Sequence, residues 1–326
     1  MRVSSKLGSE GKRRLARLRG ATANPVSRLG FSAEIHQLRE AIAGWLEDSS
    51  REMASFLAWQ FGEGSKYFRP LTVFSCYRAM NDGPVPERTI ASATVVEMLH
   101  NVSLIIDDIL DKSEKRRGKP TLHFYFGLLP ALMTSGYIVA DAFESVATEP
   151  FEVRLFSELM RRLSVAECLQ WRLRRQPLGV EDWLKIAGED TGSMFEICAC
   201  LGTRNEKLRR FGHLLGVLYH GCDDVGDAKS LEALGGGGDE DLRDGILTLP
   251  AAFAIRDPRI SRLFCTEHHS AEDFAELKQA TSSRVANAED FLDKIADDAR
   301  EEARLCAGDP RLLLDLIDHV RSLSQH

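Results

Sequence analysis

The chain has 326 residues, of which 44% are hydrophobic and 28% are charged. These fractions are typical of a folded globular protein and exclude a disordered chain, a collagen and a small disulfide scaffold. The formal net charge of −7 is unevenly spread, because residues 1–30 hold eight basic residues and one acidic residue. The remaining chain is strongly acidic, which argues against a nucleic acid as partner.

Residues 1–30 are predicted to form a flexible basic tail, followed by one domain over residues 31–326. The tail has no apolar core, so it does not resemble a secretory signal. A cytoplasmic location is expected, and the arginine-rich, acid-poor tail leaves organelle targeting as the alternative. The seven cysteines are an odd number and include no C-x-x-C pair. This usage predicts reduced, mostly buried thiols.

Apolar residues recur along the chain at helical spacing, whereas the alternation typical of strands is nearly absent. Such stripes predict three helices, at Phe31–Trp45, Ile90–Ile109 and Leu208–Cys222. The uncharged segment Phe124–Ala140 is too short and too interrupted to span a bilayer, so it predicts a buried helix and no transmembrane segment. Asp309 and Pro310 predict an N-cap and the first helical position. The pattern predicts an all-α, single-domain helical bundle around a deep central cavity.

Two aspartate clusters of the form D-D-x-x-D stand at the predicted ends of two helices. The clusters are Asp107, Asp108 and Asp111, and Asp223, Asp224 and Asp227. The outer aspartates of each cluster are four residues apart and share a helix face, where the negative end of the helix dipole favours a cation. Mg2+ binds a few carboxylates together with substrate phosphates. The predicted metal ligands, which could surround one diphosphate, are therefore Asp107, Asp111, Asp223 and Asp227.

Basic residues flank the first cluster. Arg116 and Arg117 follow it, and Lys66 and Arg69 stand upstream at a predicted helix start, where backbone N–H groups favour an anion. His100 lies seven residues before the first aspartate, two turns earlier on the same face. A solvated acidic surface is the alternative reading of the aspartates, and it suits a single copy better than two.

These motifs resemble those of the trans-isoprenyl diphosphate synthase (polyprenyl synthetase) family. The similarity runs from about Gly64 to Pro250, and the stretch from Glu97 to Asp108 is especially similar to geranylgeranyl diphosphate synthases. The segment from Asp241 to Pro250 resembles the one after the family's second aspartate motif. The resemblance implies an isoprenoid synthase type of fold, a homodimer, and a Mg2+-dependent prenyltransferase. That enzyme would condense isopentenyl diphosphate with an allylic diphosphate.

The resemblance also implies roles for individual residues. It implies a catalytic set made of the six clustered aspartates and Arg116, with about three Mg2+ ions on the diphosphate. The substrate-binding residues that it implies are Lys66, Arg69, His100, Arg117, Thr191 and His220. Val102 and Ser103 would line the floor of the chain-length pocket. Since neither is a large aromatic, the prediction is a product longer than fifteen carbons, namely twenty, unless Phe124 or Tyr125 sets the limit.

Several positions depart from the family pattern around the allylic diphosphate. Asp190 stands where the family has a lysine before Thr191, Ile246 replaces another lysine, and a further loop lysine is missing within residues 235–238. His220 occupies a glutamine position; it or Arg243 could compensate. The alternatives are a relative that ionises a prenyl diphosphate for cyclisation or transfer to another acceptor, with Glu189 or Asp190 as base, and a non-catalytic partner subunit.

Overall fold

The computed structural model describes residues 24–62, 65–116, 118–229 and 238–325. Most of the predicted basic tail therefore lies outside the described residues. Within the described part, every long element is a helix and the two strands have two residues each, which confirms the all-α prediction. By their internal contacts the residues form two compact units. The first is Met1–Phe156 with Leu201–Arg204, and the second is Ser157–Cys200 with Asn205–His326.

The helices of the first half of the chain are α1 (Asn24–Arg28), α2 (Ser32–Asp48), α3 (Ala54–Phe61), α4 (Phe68–Met80), α5 (Glu87–Leu110), α6 (Leu122–Phe126), α7 (Leu128–Ser145) and α8 (Pro150–Leu173). The antiparallel strands β1 (Lys115–Arg116) and β2 (Lys119–Pro120) follow α5. The later helices are α9 (Val180–Ala187), α10 (Ser193–Thr203), α11 (Arg209–Ala228), α12 (Gly238–Asp244), α13 (Leu249–Ala254), α14 (Pro258–Phe264), α15 (Ala271–Ser282), α16 (Val285–Cys306) and α17 (Arg311–Arg321). A π-helical turn, Gly188–Gly192, joins α9 to α10, and a 3-10 turn, Ser322–Ser324, follows α17.

Helix α5 forms the core of the first unit and ends at the first aspartate cluster, as predicted. It packs against α2, α4 and α7, and Val96 and Leu99 on it are completely buried. Among the described helices, α5 is the one long and apolar enough to cross a membrane by length and composition. Two thirds of its apolar window (67%) is buried inside the protein, and helices of a protein core pass the same test.

Helix α11 forms the core of the second unit, as α5 does in the first, and it carries the second aspartate cluster. It packs against α16, α17 and the π-helical turn. Two glycines allow this approach, because a Cβ at Gly216 would lie 2.6 Å from the Thr191 carbonyl oxygen and one at Gly212 would lie 2.5 Å from that of Phe195. The polar turn that carries Thr191 is thereby held directly against α11.

The predicted boundary between tail and domain at residue 31 is wrong. Residues 24–28 form α1, and Val26 and Leu29 are buried. Their burial places residues 24–30 in the folded part of the chain. A count of charges does not reveal the two buried apolar side chains, Val26 and Leu29, in this mostly basic segment.

The segment Phe124–Ala140 is not the buried helix that its composition predicts. Gly127, with a φ of +96°, separates α6 from α7. Large apolar side chains on the two helices are exposed in this chain, at Phe124, Tyr125, Leu128, Leu129, Leu132 and Met133. An apolar composition indicates that a segment is more stable when buried, but it does not tell whether residues of the same chain bury it.

Two smaller predictions concern the C-terminal helix and the cysteines. Helix α17 begins at Arg311, one residue later than predicted, and Pro310 takes the N-cap position. Asp309 still acts as a cap, since its carboxylate accepts a hydrogen bond of 3.1 Å from the Arg311 backbone N–H. Four of the seven cysteines are buried, in agreement with the prediction of mostly buried thiols, and their reduced state stays a prediction.

Candidate functional site

The first aspartate cluster separates into one buried carboxylate and two partly exposed ones. Asp108 is 3% exposed and accepts a hydrogen bond of 2.7 Å from Arg116 Nε. Burial raises the pKa of Asp108, and the Arg116 guanidinium opposes that rise. Asp107 and Asp111 lie one helical turn apart at the end of α5 and are only partly buried. The middle aspartate thus anchors the site, while the outer pair can reach a ligand.

A short hairpin presents Arg116 to this cluster. In the β1–β2 pair, Arg116 lies opposite Lys119, and Gly118 makes the turn with a φ of +78°, which favours glycine. The Arg116 side chain is 38% exposed although it contacts Asp108. It can therefore reach an anion beyond the carboxylate. The predicted ligand-binding role of Arg117 falls on a position outside the described residues.

The residues predicted to bind isopentenyl diphosphate lie in the same unit. Arg69 Nη1 donates a hydrogen bond of 3.1 Å to His100 Nε2. Because a guanidinium can only donate, His100 Nε2 must accept, which places the imidazole proton on Nδ1. Lys66 is half-buried just before α4. A cavity of about 70 Å³ is lined by His100, Asp108 and Arg116, so the structure brings residues of both predicted groups together.

The residues predicted to line the chain-length pocket lie beside His100. Val102 is 5% exposed. Ser103 is half-buried, and its hydroxyl donates a hydrogen bond of 2.9 Å to the His100 carbonyl. The hydroxyl is thus satisfied within α5, and its small side chain leaves little bulk at this position. Their role in setting product length stays a prediction.

In the second cluster, the middle aspartate is again held by the protein. Asp224 accepts hydrogen bonds from Trp183 Nε1 at 2.7 Å and from the Leu249 backbone N–H at 2.8 Å. Burial raises the pKa of Asp224, and His220 opposes that rise. The outer pair, Asp223 and Asp227, is partly buried one turn apart on α11. The two clusters therefore share one design, although their anchoring partners differ.

The π-helical turn brings Asp190 and Thr191 against His220 of α11. Thr191 Oγ1 donates a hydrogen bond of 3.0 Å to Asp190 Oδ2 and lies 3.0 Å from His220 Nδ1. His220 Nδ1 is also 3.4 Å from Asp190 Oδ2. Burial disfavours a charge on His220, but the carboxylates of Asp224 and Asp190 outweigh it and raise its pKa to about 9. The carboxylate of Asp190 thus lies against an imidazole from α11 whose protonated form is favoured.

Glu189 is paired with Arg162. Arg162 Nε donates to it at 2.9 Å, and Arg162 Nη1 donates to Glu196 at 2.7 Å. Glu196 also lies 2.8 Å from His213 Nδ1. Burial would raise the pKa of Glu196, but the hydrogen bonds from His213 and Arg162 prevail and lower it to about 2. The alternative that makes Glu189 a catalytic base stays a prediction, and the structure pairs this carboxylate with Arg162.

Arg243, the other proposed compensating cation, has a different partner. Its guanidinium lies over the Phe274 ring, 4.5 Å from the centroid. His220 is thus the cation that the described structure places against Asp190 and Thr191. Neither Trp183 nor the Arg162 cluster was found from sequence, because their partners lie 27 to 41 residues away and belong to no motif.

The carboxylates fit a hard cation. Among the described residues, no three His, Cys, Asp or Glu side chains come close enough to hold a metal ion by themselves. Each cluster instead offers two carboxylates on one helix face. This all-oxygen, incomplete donor set suits Mg2+, which completes its coordination with phosphate oxygens and water.

Comparison with known proteins agrees with this design. The model of the family described as Polyprenyl synthetase matches residues 51–283. The chain is 31% identical over 301 residues to the nonaprenyl diphosphate synthase of Mycobacterium tuberculosis, covering 85% of this chain and 88% of that protein. It is 31% identical over 215 residues to geranylgeranyl pyrophosphate synthase 4 of Arabidopsis thaliana, covering 59% of this chain and 57% of that protein. The chain thus spans less than two thirds of this and other plant relatives.

Solved structures share the fold. The heptaprenyl diphosphate synthase from Staphylococcus aureus superposes with a TM-score of 0.82 at 22% identity, covering 89% of this chain and 97% of that one. A polyprenyl synthase from Caulobacter crescentus, solved with calcium and isoprenyl diphosphate, also has a TM-score of 0.82, at 23% identity, covering 92% of this chain and 98% of that one.

Proposed function

Since this chain belongs to the polyprenyl synthetase family, we propose that it condenses isopentenyl diphosphate with an allylic diphosphate to give a longer trans-prenyl diphosphate. The observation that carries the proposal is the common design of the two D-D-x-x-D clusters. In each, the protein binds the middle aspartate, and the outer pair shares one face of a core helix. An acidic surface that served only solubility would not need two aspartates held by protein donors in this way.

We propose Mg2+ as the metal, in a set of about three ions. Asp107 and Asp111 would hold it in the first unit, and Asp223 and Asp227 in the second. When bound, Mg2+ stabilises the negative charge that develops on the departing diphosphate. Asp108 and Asp224 support this arrangement, because their hydrogen bonds fix the segments on which the outer aspartates stand.

The chain's own cations divide between the two substrates. Arg116, which Asp108 holds at the cluster, would contact the allylic diphosphate. Lys66, Arg69 and His100 would bind the diphosphate of isopentenyl diphosphate. The allylic C–O bond breaks, the alkene of isopentenyl diphosphate forms the new C–C bond, and a proton is then lost from the adjacent carbon. The residues hold the reacting carbons together, which supplies much of the rate gain of such a reaction.

We propose a product longer than fifteen carbons, with twenty as the length. The support is the absence of an aromatic side chain at Val102 and Ser103. The relatives include synthases named for geranylgeranyl and for nonaprenyl products, so product length varies widely within the family. The length therefore depends on side chains along the pocket rather than on the fold.

We propose that the active form is a homodimer. The support is the exposed apolar face of α6 and α7, where Leu129 is 68% exposed and Met133 is 56% exposed. Phe124, Tyr125 and Leu128 extend the same face. A continuous apolar surface of this kind is costly in water and marks an interface. A second copy of the chain offers the same face and can cover it symmetrically.

A second candidate function is ionisation of a prenyl diphosphate for cyclisation or for transfer to another acceptor. The observation that favours it is the carboxylate of Asp190 at a family lysine position. Its engagement with Thr191 and His220 weighs against a base role. The carboxylate that could act as a base is thus already engaged by its neighbours, so chain elongation remains the proposed function.

Carboxylate variants test the proposed function. Asp107→Asn and Asp223→Asn are each expected to lower kcat/KM by about 10²–10³, as loss of a charge-stabilising group does. Asp297→Asn is the matched control, because Asp297 is an exposed helical aspartate whose side chain is 76% exposed. Its activity should equal that of the wild type. Wild-type rates in both cluster variants would contradict the assignment.

A further inference from the structure

Tyr67 has a backbone conformation that is unusual for its residue type. It directly precedes α4 and has a φ of +56°, in the left-handed region that a bulky side chain adopts only at a cost. Its ring is 2% exposed. Lys66 precedes it and Arg69 follows two residues later, so the strained residue lies inside the segment that carries both cations. Strain of this kind persists only where the surroundings enforce it.

A buried arginine supplies that enforcement. Arg39 on α2 is 4% exposed, and its Nε donates a hydrogen bond of 3.3 Å to the Tyr67 hydroxyl. The Arg39 guanidinium carbon also lies 4.9 Å from the centroid of the Tyr67 ring. Burying an arginine side chain is expensive unless it is well paired. An arginine committed to a tyrosine hydroxyl and ring from another helix indicates that the position of this tyrosine matters.

The same tyrosine borders the candidate site. Tyr67 and Ser65 line the cavity that also contacts His100, and the Tyr67 backbone N–H donates to Ser65 Oγ at 3.1 Å. Burial raises the pKa of the Tyr67 hydroxyl, and the Glu97 carboxylate raises it further. Burial and the Glu97 carboxylate thus favour the protonated hydroxyl, whose oxygen accepts the hydrogen bond from Arg39 Nε.

We propose that Arg39 and Tyr67 are a positioning pair that fixes the segment 66–69 for the diphosphate of isopentenyl diphosphate. The pair does not touch that substrate in this proposal; it sets the directions of Lys66 and Arg69 on either side. The inference rests on the proposed function, because that function identifies the anion that these cations bind. The proposal assigns a role to two residues, Arg39 and Tyr67, that the sequence motifs did not identify as substrate-binding.

Steady-state kinetics on Tyr67→Phe and Arg39→Met test the pair. Tyr67→Phe removes the hydroxyl and keeps the ring, and Arg39→Met removes the charge and keeps the apolar stem. Each should raise the KM for isopentenyl diphosphate about tenfold, as loss of one hydrogen bond to a charged group does. The KM for the allylic diphosphate and kcat should stay within about threefold. Arg39→Lys should recover part of the loss.

Arg78→Met is the matched control. Arg78 also lies on α4, donates to Glu34 of α2 at 2.5 Å, and covers the Phe31 ring at 4.5 Å. It joins the same two helices away from residues 66–69. The control should lower Tm and leave the KM for isopentenyl diphosphate unchanged.

Three outcomes are informative. A wild-type KM for isopentenyl diphosphate in Tyr67→Phe, or an equal rise in Arg78→Met, would overturn the pair's positioning role. If Arg39→Met does not fold, Tyr67→Phe decides the question alone, since it removes a single atom. Wild-type protein that elongates no allylic diphosphate would instead defeat the proposed function, and this is established before any variant is compared.

Discussion

At the residue scale, the carboxylates of the two clusters differ by what they contact. Asp108 accepts a hydrogen bond from Arg116 and Asp224 accepts one from Trp183, and the outer aspartates of each cluster lie partly buried on one helix face. Helical spacing predicts the outer pairs, because positions four apart coincide on a helix surface. Spacing could not predict the anchors, since Arg116 comes from a hairpin and Trp183 from a helix 41 residues away.

The Asp190–His220 ion pair yields a prediction on catalysis. His220→Gln leaves the Asp190 carboxylate uncompensated beside the diphosphate, so kcat/KM for the allylic substrate should fall at least about tenfold. Asp190→Lys combined with His220→Gln recreates the family arrangement and should recover most of that loss. A double variant no better than His220→Gln in elongation assays would show that the two residues do not act as a pair.

The same pair yields a prediction on pH. The pKa of His220 is raised from its ordinary value to about 9, so its contribution to stability is fully present below about pH 6.5 and is lost as pH rises through 9. Urea unfolding of the wild type should lose about 2 kcal/mol between these limits through this group. His220→Gln should remove most of that difference. An unchanged difference in the variant would assign the pH dependence to other groups.

Ser103 carries the prediction on product length. Ser103→Phe places an aromatic ring at the predicted floor of the pocket, so the main product should become shorter, toward fifteen carbons. Ser164→Phe is the control, because Ser164 is an exposed helical serine on α8. Product lengths are read by mass spectrometry. The same product from both variants and the wild type would show that another side chain, for example Phe124 or Tyr125, limits the length of the product.

At the element scale, periodicity predicted the main helices because each buries one continuous stripe. It placed α2, α5 and α11 correctly, and both clusters at the helix ends. It did not predict the π-helical turn, which has no periodic signature. It was wrong at α6 and α7, because an apolar composition does not tell whether the same chain covers a helix face.

Helix contact at Gly216 gives a prediction on stability. Gly216→Ala puts a Cβ 2.6 Å from the Thr191 carbonyl, so the π-helical turn must shift. The free energy of unfolding should fall by about 1–3 kcal/mol, as overpacking does, and activity should fall with it. Gly44→Ala is the control: nothing lies within 4 Å of that Cβ in α2. It should stabilise the protein by about 0.5–1 kcal/mol, as measured by urea denaturation.

At the scale of the whole molecule, the exposed face of α6 and α7 predicts self-association. Leu129→Glu places a charge in that face and should shift the protein from dimer to monomer in sedimentation experiments. Leu305→Glu is the matched control, since Leu305 is 73% exposed but lies outside this face. It should leave the dimer intact. A monomeric wild type, or dissociation by both variants, would remove the interface from these helices.

The composition of the whole chain reflects the same chemistry. Its acidic body argues against nucleic acid as a partner and includes the two aspartate clusters, for which we propose Mg2+ and a diphosphate as ligands. The family membership, the fold and the helix positions of the clusters could be predicted from sequence. The ion pair at Asp190, the Arg39–Tyr67 contact and the exposed face could not, because each depends on partners distant in sequence or outside the chain.

The most direct test of the central claim is product analysis of the wild-type protein with Mg2+, isopentenyl diphosphate and each short allylic diphosphate in turn. We predict Mg2+-dependent formation of a prenyl diphosphate lengthened by five-carbon units to twenty carbons or beyond, seen by mass spectrometry. Release of diphosphate without any lengthened product would contradict the account and favour a cyclase or another acceptor.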